Sequence, residues 1–486
     1  MSIDINHRKW WILLVMTLVA FITNVDATIV IVGLPRLMLG LHITITTGLW
    51  TLTAYIITST VFLLPAGRWS DVIGTKRIFM LGLLIFTVAT MLCGYAPSGA
   101  FLIAFRFVQG VGAALALATA TPIIVHAFPK QQLGRALGIN STAWVIGSIV
   151  GPVAGGVLVS TLGWRWIFFV TVPFAVAGMI AAWFILEGGA AKTSSGKTDW
   201  PGIASFGFAL VLLLIALSEG QAWGFGSIRI LGLFSGTVLL LIAFVLRELR
   251  TKEPLFDLKL LLHRHYRAGL GVTVTYSIGY FATTFLLTIY LQGALHLSPL
   301  KAGLLLIPLS LPQLFISPLG GWLADRFGAP RFILVGVILL AVGGFQLGQL
   351  GPQLHMGAIV GPLLLMSVAT GLAWPALTKV VMSSAPLNRT GAASGMFFTF
   401  RNVGMSLSLT LALLVAEASL PGAVASKAFL GTSGVLLPHF RDILTHSTDA
   451  GFRVFVVFYG IALLFSLYLL RPVAEKSTSL SHKKGA

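Results

Sequence analysis

Apolar stretches of about 20 residues recur along this chain from end to end. As a helix, each is long enough to cross a hydrocarbon layer of roughly 30 Å. Lipid leaves no backbone polar group a water partner, so such a chain is confined to a bundle of membrane-crossing helices. Of its 486 residues, 57% are hydrophobic and 9% charged, against roughly 25% charged in a soluble domain. Fourteen spans are expected, at 10–34, 48–67, 77–97, 100–122, 136–160, 164–186, 200–219, 228–246, 268–292, 301–324, 331–350, 355–383, 393–417 and 451–470. The N-terminal "MSIDINHRKWWILLVMTLVAFITNVDATIVIVGLP" has no small-x-small cleavage site and reads as a retained first helix. Cys93 is the single cysteine, which excludes an intramolecular disulfide.

The +18 formal charge would point to nucleic acid in a soluble protein. Here its placement accounts for it. With the N-terminus inside, Arg8, Lys9, Lys76, Arg77, Lys130, Arg135, Arg247, Arg250, Arg264, Arg267, Arg326, Arg331, Lys483 and Lys484 fall in cytoplasmic loops and tails. The outer loops hold Arg36, Arg165, Arg229, Lys301, Lys427, Arg441 and Arg453; Arg106 and Arg401 lie within spans. This asymmetry predicts that both termini are cytoplasmic, and no nucleic-acid partner is needed.

An internal repeat organises the spans. "GRWSDVIGTKRIFMLG" (67–82) aligns with "GWLADRFGAPRFILVG" (321–336), and "GRALG" (134–138) with "GAASG" (391–395). The two halves are parallel repeats related by an axis along the membrane normal. The expected organisation is a six-helix bundle over 1–190, two inserted spans over 191–264 and a second six-helix bundle over 265–486.

The repeated loop preserves Gly-x-x-x-Asp-x-x-Gly-x-x-Arg: Gly67, Asp71, Gly74 and Arg77 in the first copy, Gly321, Asp325, Gly328 and Arg331 in the second. Glycines turn the chain between apposed helices, and an Asp there can accept from helix N-terminal amides. A tight, positive-inside hairpin with a capping Asp is the plain structural reading of one copy; two copies weaken it. These loops resemble the cytoplasmic loop motif of the major facilitator superfamily. The resemblance implies a fold of two six-helix bundles, here with two inserted helices. It also implies that Asp71 and Asp325 latch the halves on the cytoplasmic side, biasing the outward-open state. The first copy departs from the pattern, with Val72 where the second has Arg326.

Three further stretches carry chemistry. Arg106, in "FRFVQGVGAA", lies inside a span, where a guanidinium costs at least about 2.5–3.5 kcal/mol unless paired or hydrated. Snorkelling is one reading; Gln109, one turn on, argues for an inward-facing stripe. The segment resembles the superfamily motif whose Arg is implicated in proton coupling. Asp26, in "NVDATIVIVGLP", lies roughly 13 Å below the outer end of its span at about 1.5 Å per residue, a depth close to that of Arg106. The pair could titrate under alternating access, since burial and a neighbouring Arg act on the carboxylate in opposite senses; a fixed structural ion pair is the competing reading. This stretch resembles the first-span signature of fourteen-helix drug–proton antiporters, with Thr28, Leu34 and Pro35 in place and Gly33 for the usual Ala. Finally, "VIGSIVGPVAGGVL" puts Gly147, Gly151, Pro152, Gly155 and Gly156 in one span. Small residues at every fourth position let helices approach closely, and the full string resembles the signature of antiporters within the superfamily. It is expected to form a bendable seam between the halves.

Weaker candidates complete the reading. Glu417 is a secondary coupling candidate. Arg401 resembles part of a "GxxSGxxxxxRxxG" pattern of the fourteen-helix group, or snorkels near the inner face. Asn24, Tyr55, Gln109, Trp144, Tyr280, Gln313, Trp374 and Phe397 are expected cavity residues. No Walker loop, HExxH, Cys pair or nucleophile elbow is present, so no ATP, metal, cofactor or catalytic residue is expected. The expected function is proton-coupled efflux of a small amphipathic molecule by a monomer in a bacterial cell membrane, its partners being substrate, protons and the lipid bilayer. An acidic site at Asp26 fits lipophilic cations, whereas Arg106 opposes a strongly cation-selective pocket. Export of a dedicated metabolite, lipid or peptide-like compound is the alternative, and a membrane enzyme or channel the remote one.

Overall fold

The computed structural model describes residues 5–187, 199–251, 258–295, 297, 299–351, 355–418 and 438–470. Helices account for nearly all of them, and no strand occurs among the described residues. In chain order these are α1 (Ile5–Leu41), α2 (Ile45–Ile73), α3 (Thr75–Gly94), α4 (Gly99–Ala127), α5 (Leu133–Thr161), α6 (Trp166–Phe169) and α7 (Thr171–Ile185). Then come α8 (Trp200–Trp223), α9 (Ile228–Glu248), α10 (Arg264–Thr288), α11 (Pro299–Ser310) and α12 (Gln313–Phe327). The last four are α13 (Ala329–Leu347), α14 (Met356–Ser383), α15 (Thr390–Ala418) and α16 (Pro438–Leu470). Among the described residues, 13 helical stretches are long and apolar enough to cross a membrane. The remaining expected span, 393–417, coincides with α15, several of whose C-terminal side chains, Glu417 included, lie outside the described residues.

Proline explains where one expected span divides. The 301–324 stretch is two helices, α11 and α12. Pro312 brings no N–H to the Pro308 carbonyl, and the chain turns at Leu311 and Pro312 before α12 begins at Gln313. Pro152, by contrast, is accommodated inside a continuous α5.

Helices α1–α7 pack among themselves through α3 on α4, α2 on α4 and α1 on α5; α10–α16 do so through α13 on α14 and α10 on both α15 and α16. These two bundles meet along two seams, α5 on α12 and α2 on α15. The α8–α9 hairpin lies beside the second seam, with α8 against α2 and α15. It is tied by Asp199, which caps α8 through the Gly202 amide and pairs with Arg247 at 3.2 Å.

Glycine makes the seams close. A methyl group on Gly134 or Gly138 would strike the α12 backbone at Gly321 or Ser317, and one on Gly67 or Gly395 would strike backbone across the other seam. Gly74 and Gly328 end α2 and α12 at φ of 111° and 93°, a region that favours glycine. The opposing bundle thus lies against 134–138, not against the later glycines of α5. Gly147, Gly151 and Gly155 face Asn24, Thr28 and Ile29 of α1. The expected seam between halves is therefore a seam within the first bundle. A methyl group on Gly156 would meet no neighbouring helix within 4 Å, so this glycine takes no part in it.

Candidate functional site

Four helices converge on one buried ion pair. Asp26 on α1 and Arg106 on α4 are 0% and 1% exposed, joined at 2.8 Å between Oδ2 and Nη1. Gln109, one helical turn beyond Arg106, donates to Asp26 Oδ1 at 2.8 Å and to the Thr90 hydroxyl of α3 at 2.6 Å, while its own oxygen accepts from Arg106 at 2.6 Å. Arg106 Nε donates to the Thr51 carbonyl of α2 at 2.9 Å, and the guanidinium lies 4.4 Å from the Tyr55 ring centre. Every carboxylate oxygen is thus engaged, which a buried pair needs to offset its desolvation. A proton on Asp26 would cancel its charge and leave Arg106 uncompensated, so proton and pair compete.

At the basic end of the molecule, each bundle caps a helix of the other. Asp71, at the end of α2, accepts from the Gly391 and Ala392 amides at 2.8 and 2.9 Å. Asp325, at the end of α12, accepts from the Gly134 and Arg135 amides, both at 2.8 Å. These amides begin α15 and α5, where no intrahelical acceptor exists and the helix dipole favours an anion. The repeated Asp therefore meets the repeated Gly segment of the opposite half. Asp325 also pairs with Lys379 at 2.6 Å.

Between the bundles lies a cavity of about 170 Å³. Asn24, Ser141, Trp144 and Ser148 line it from α1 and α5; Tyr276, Tyr280, Phe281, Gln313, Trp374 and Arg401 line it from α10, α12, α14 and α15. The break between α11 and α12 brings Ser310 and Gln313 to its wall. Gln313 donates to the Tyr280 hydroxyl at 3.1 Å, and Tyr276 donates to Thr370 at 2.9 Å. The Arg401 guanidinium sits 5.1, 5.2 and 5.6 Å from the ring centres of Trp144, Phe281 and Trp374.

The Major Facilitator Superfamily model matches residues 16–409. The chain belongs to the major facilitator superfamily. It is 30% identical over 414 residues to the tetracenomycin C resistance and export protein of Streptomyces glaucescens, covering 85% of this chain and 77% of that one. It is 28% identical over 415 residues to the multidrug transporter protein MdtP of Bacillus subtilis, covering 85% and 76%. The solved proton:xylose symporter XylE shares its fold, with a TM-score of 0.64, 14% identity and 96% of each chain covered. This chain is accordingly a multi-pass transporter of the bacterial cell membrane, not an enzyme.

In this transporter, five of the expected cavity residues, Asn24, Trp144, Tyr280, Gln313 and Trp374, line the cavity. Three do not. Tyr55 stacks on Arg106, Gln109 is consumed by the ion pair, and Phe397, 0% exposed, packs behind Trp374 with ring centres 5.3 Å apart. Asp26 and Arg106 come together directly and are almost fully buried. Arg77 and Arg331 are exposed, and Arg326 lies over the Trp322 and Phe327 rings. Lys76 caps the far end of α7, donating to the Trp183 and Leu186 carbonyls at 2.9 and 2.5 Å. Sequence reasoning names Arg401 only as part of a motif resemblance or as a snorkelling side chain, and misses its place at the cavity wall. Its partners come from three other helices, and no local spacing reports them.

Proposed function

We propose that this transporter is a proton-coupled antiporter that exports small amphipathic compounds by alternating access. The observation that carries this reading is the Asp26–Arg106 pair, a protonatable ion pair buried in the same bundle whose α1 and α5 wall the cavity. A proton reaching Asp26 would break the pair, and re-forming it would expel the proton. The two states of the pair thereby bias two packings of α1, α2 and α4, the requirement for coupling.

The positive-inside rule puts the latched end in the cytoplasm. With both latches made, the arrangement is closed to the cytoplasm. The reading takes fourteen spans with both termini inside, and rocking of 1–190 against 265–486 while 191–264 is carried alongside. The chain functions as a monomer in this scheme, since cavity and ion pair are complete within it. MdtP's name favours a broad substrate range. The second reading, export of one dedicated compound, is favoured by the name of the tetracenomycin relative.

The experiment is pH-gradient dissipation in inside-out vesicles across a chemically varied panel, comparing the parent with Asp26→Asn and Arg106→Ala. Both variants are expected to lose substrate-driven proton flux. Full proton-coupled transport by Asp26→Asn would overturn the coupling role, and a panel in which no compound moves protons would overturn antiport itself.

A further inference from the structure

Arg401 sits eleven residues into α15, half-buried at the wall of the central cavity. Its Nη1 donates to Asn402 Oδ1 at 3.2 Å, and among the described residues its other donors make no hydrogen bond. No carboxylate among the described residues pairs with it. What surrounds it is aromatic: Trp144 from the first bundle, Phe281 and Trp374 from the second. Ring faces attract a guanidinium and fix its plane, yet they carry no charge and leave its positive field in place. Among the described residues no other lining residue is charged; the rest of the wall is Tyr, Trp, Phe, Ser, Thr, Asn, Gln and Val. The Asp26 carboxylate does not compensate it, since its oxygens are taken by Arg106 and Gln109.

We propose that this cavity selects aromatic organic anions, with Arg401 as the anion-recognising residue. A carboxylate or phenolate would lie against the free edge of the guanidinium, which presents paired donors to planar oxyanions. The attached ring would lie against the aromatic wall, where Tyr276 and Tyr280 stack at 5.6 Å with 13° between planes. Asn24, whose Oδ1 has no hydrogen-bond partner among the described residues, faces the same space from α1. At about 170 Å³ the cavity in this arrangement holds a small ring system, since pockets for drug-sized ligands are about 300 Å³ or more. Trp144 comes from one bundle and Arg401 from the other, so an anion held there would engage both. This inference specifies the substrate class of the efflux reading above and rests on it for the direction of transport.

The test uses three probes on one ring system: 2-naphthoate, 2-naphthamide and 2-naphthylmethylammonium. Binding is measured calorimetrically on the purified full-length transporter in nanodiscs. The parent is expected to bind naphthoate about tenfold more tightly than naphthamide, the scale of one charge-assisted hydrogen-bonded contact, and the ammonium weakest. Arg401→Gln should erase that ratio, and Arg401→Lys should keep part of it, which separates loss of charge from loss of fold. An unchanged ratio in Arg401→Gln would overturn the proposal. So would binding of the ammonium as tight as that of naphthoate, or no binding of naphthoate. Proton flux in vesicles separates the two claims. Charge-selective binding without any proton-coupled transport sinks the efflux reading and leaves the anion site standing; proton-coupled export with charge-blind binding does the reverse.

Discussion

Arg106 and Arg401, both within the helical bundles, are treated by the protein in opposite ways. Arg106 is 1% exposed and held by a carboxylate, an amide oxygen and a backbone carbonyl. Arg401 is half-buried, faces the cavity and is held by three rings. The first charge is cancelled within its own bundle; the second keeps its field and projects it into the space between bundles. A cancelled pair is suited to exchanging its partner for a proton, and an uncancelled cation to holding an anion that arrives and leaves. In the proposed mechanism, one chain separates coupling from recognition by how each guanidinium is compensated.

Breaking the pair has the largest expected effect. Asp26→Asn should abolish proton-coupled transport in vesicles. It should also cost stability, because removing one partner of a buried pair costs roughly 3–5 kcal/mol. Adding Arg106→Gln to it should recover much of the thermal stability, read by unfolding in detergent, without recovering transport. Recovery of both would make the pair a structural element only.

The next effect sharpens the contrast through voltage. Each charge moved across the membrane is worth about 2.3 kcal/mol per 100 mV. An anion leaving in exchange for an entering proton moves two charges in the same electrical sense; a neutral compound moves one. Naphthoate efflux should therefore respond about twice as steeply to an imposed potassium diffusion potential as naphthamide efflux. Equal slopes would remove the anion from the transport cycle.

The latches allow a smaller test of the closed arrangement in which the cavity is seen. Asp71→Asn loses a charged acceptor for the Gly391 and Ala392 amides, where such bonds contribute about 1.5–3 kcal/mol. Spin labels at the exposed positions Arg77→Cys and Arg331→Cys, with Cys93→Ser, should gain a longer-distance population in this variant. Asp325→Asn, which removes the charged acceptor of the Gly134 and Arg135 amides across the other seam, should do the same. An unchanged distance distribution in both variants would mean that the latches do not set the population.

How much of this was legible before the structure depended on whether partners were local. Hydropathy marks the spans because each responds to lipid on its own. The repeated Asp and the repeated Gly segment were both visible, but that each Asp meets the Gly segment of the opposite half is seen only in the packing. Asp26 and Arg106 could be matched by depth alone. The Arg401 cage could not, since Trp144, Phe281 and Trp374 lie on α5, α10 and α14 and only packing brings them around α15. The glycines of α5 failed differently: their spacing shows a smooth face but not what covers it, and what covers it is α1.

That face is where the two regions are joined, and it supports the finest test. Helix α5 carries Trp144 against Arg401 and lies on α1, which carries Asp26. Thr28, two residues beyond Asp26, donates to the Gly147 carbonyl at 3.2 Å, and a methyl on Gly151 would strike the Thr28 hydroxyl. Gly151→Ala is expected to displace Thr28 and push α1 and α5 apart at the level that connects the Asp26–Arg106 pair and the cavity. It should slow coupled transport and lower thermal stability, although alanine is the better helix former by about 1 kcal/mol. Gly156→Ala meets open space and should keep that propensity gain, leaving transport unchanged and stability equal or slightly higher. If the two variants behave alike, the glycines act through helix propensity, and α5 does not link the compensated arginine to the uncompensated one.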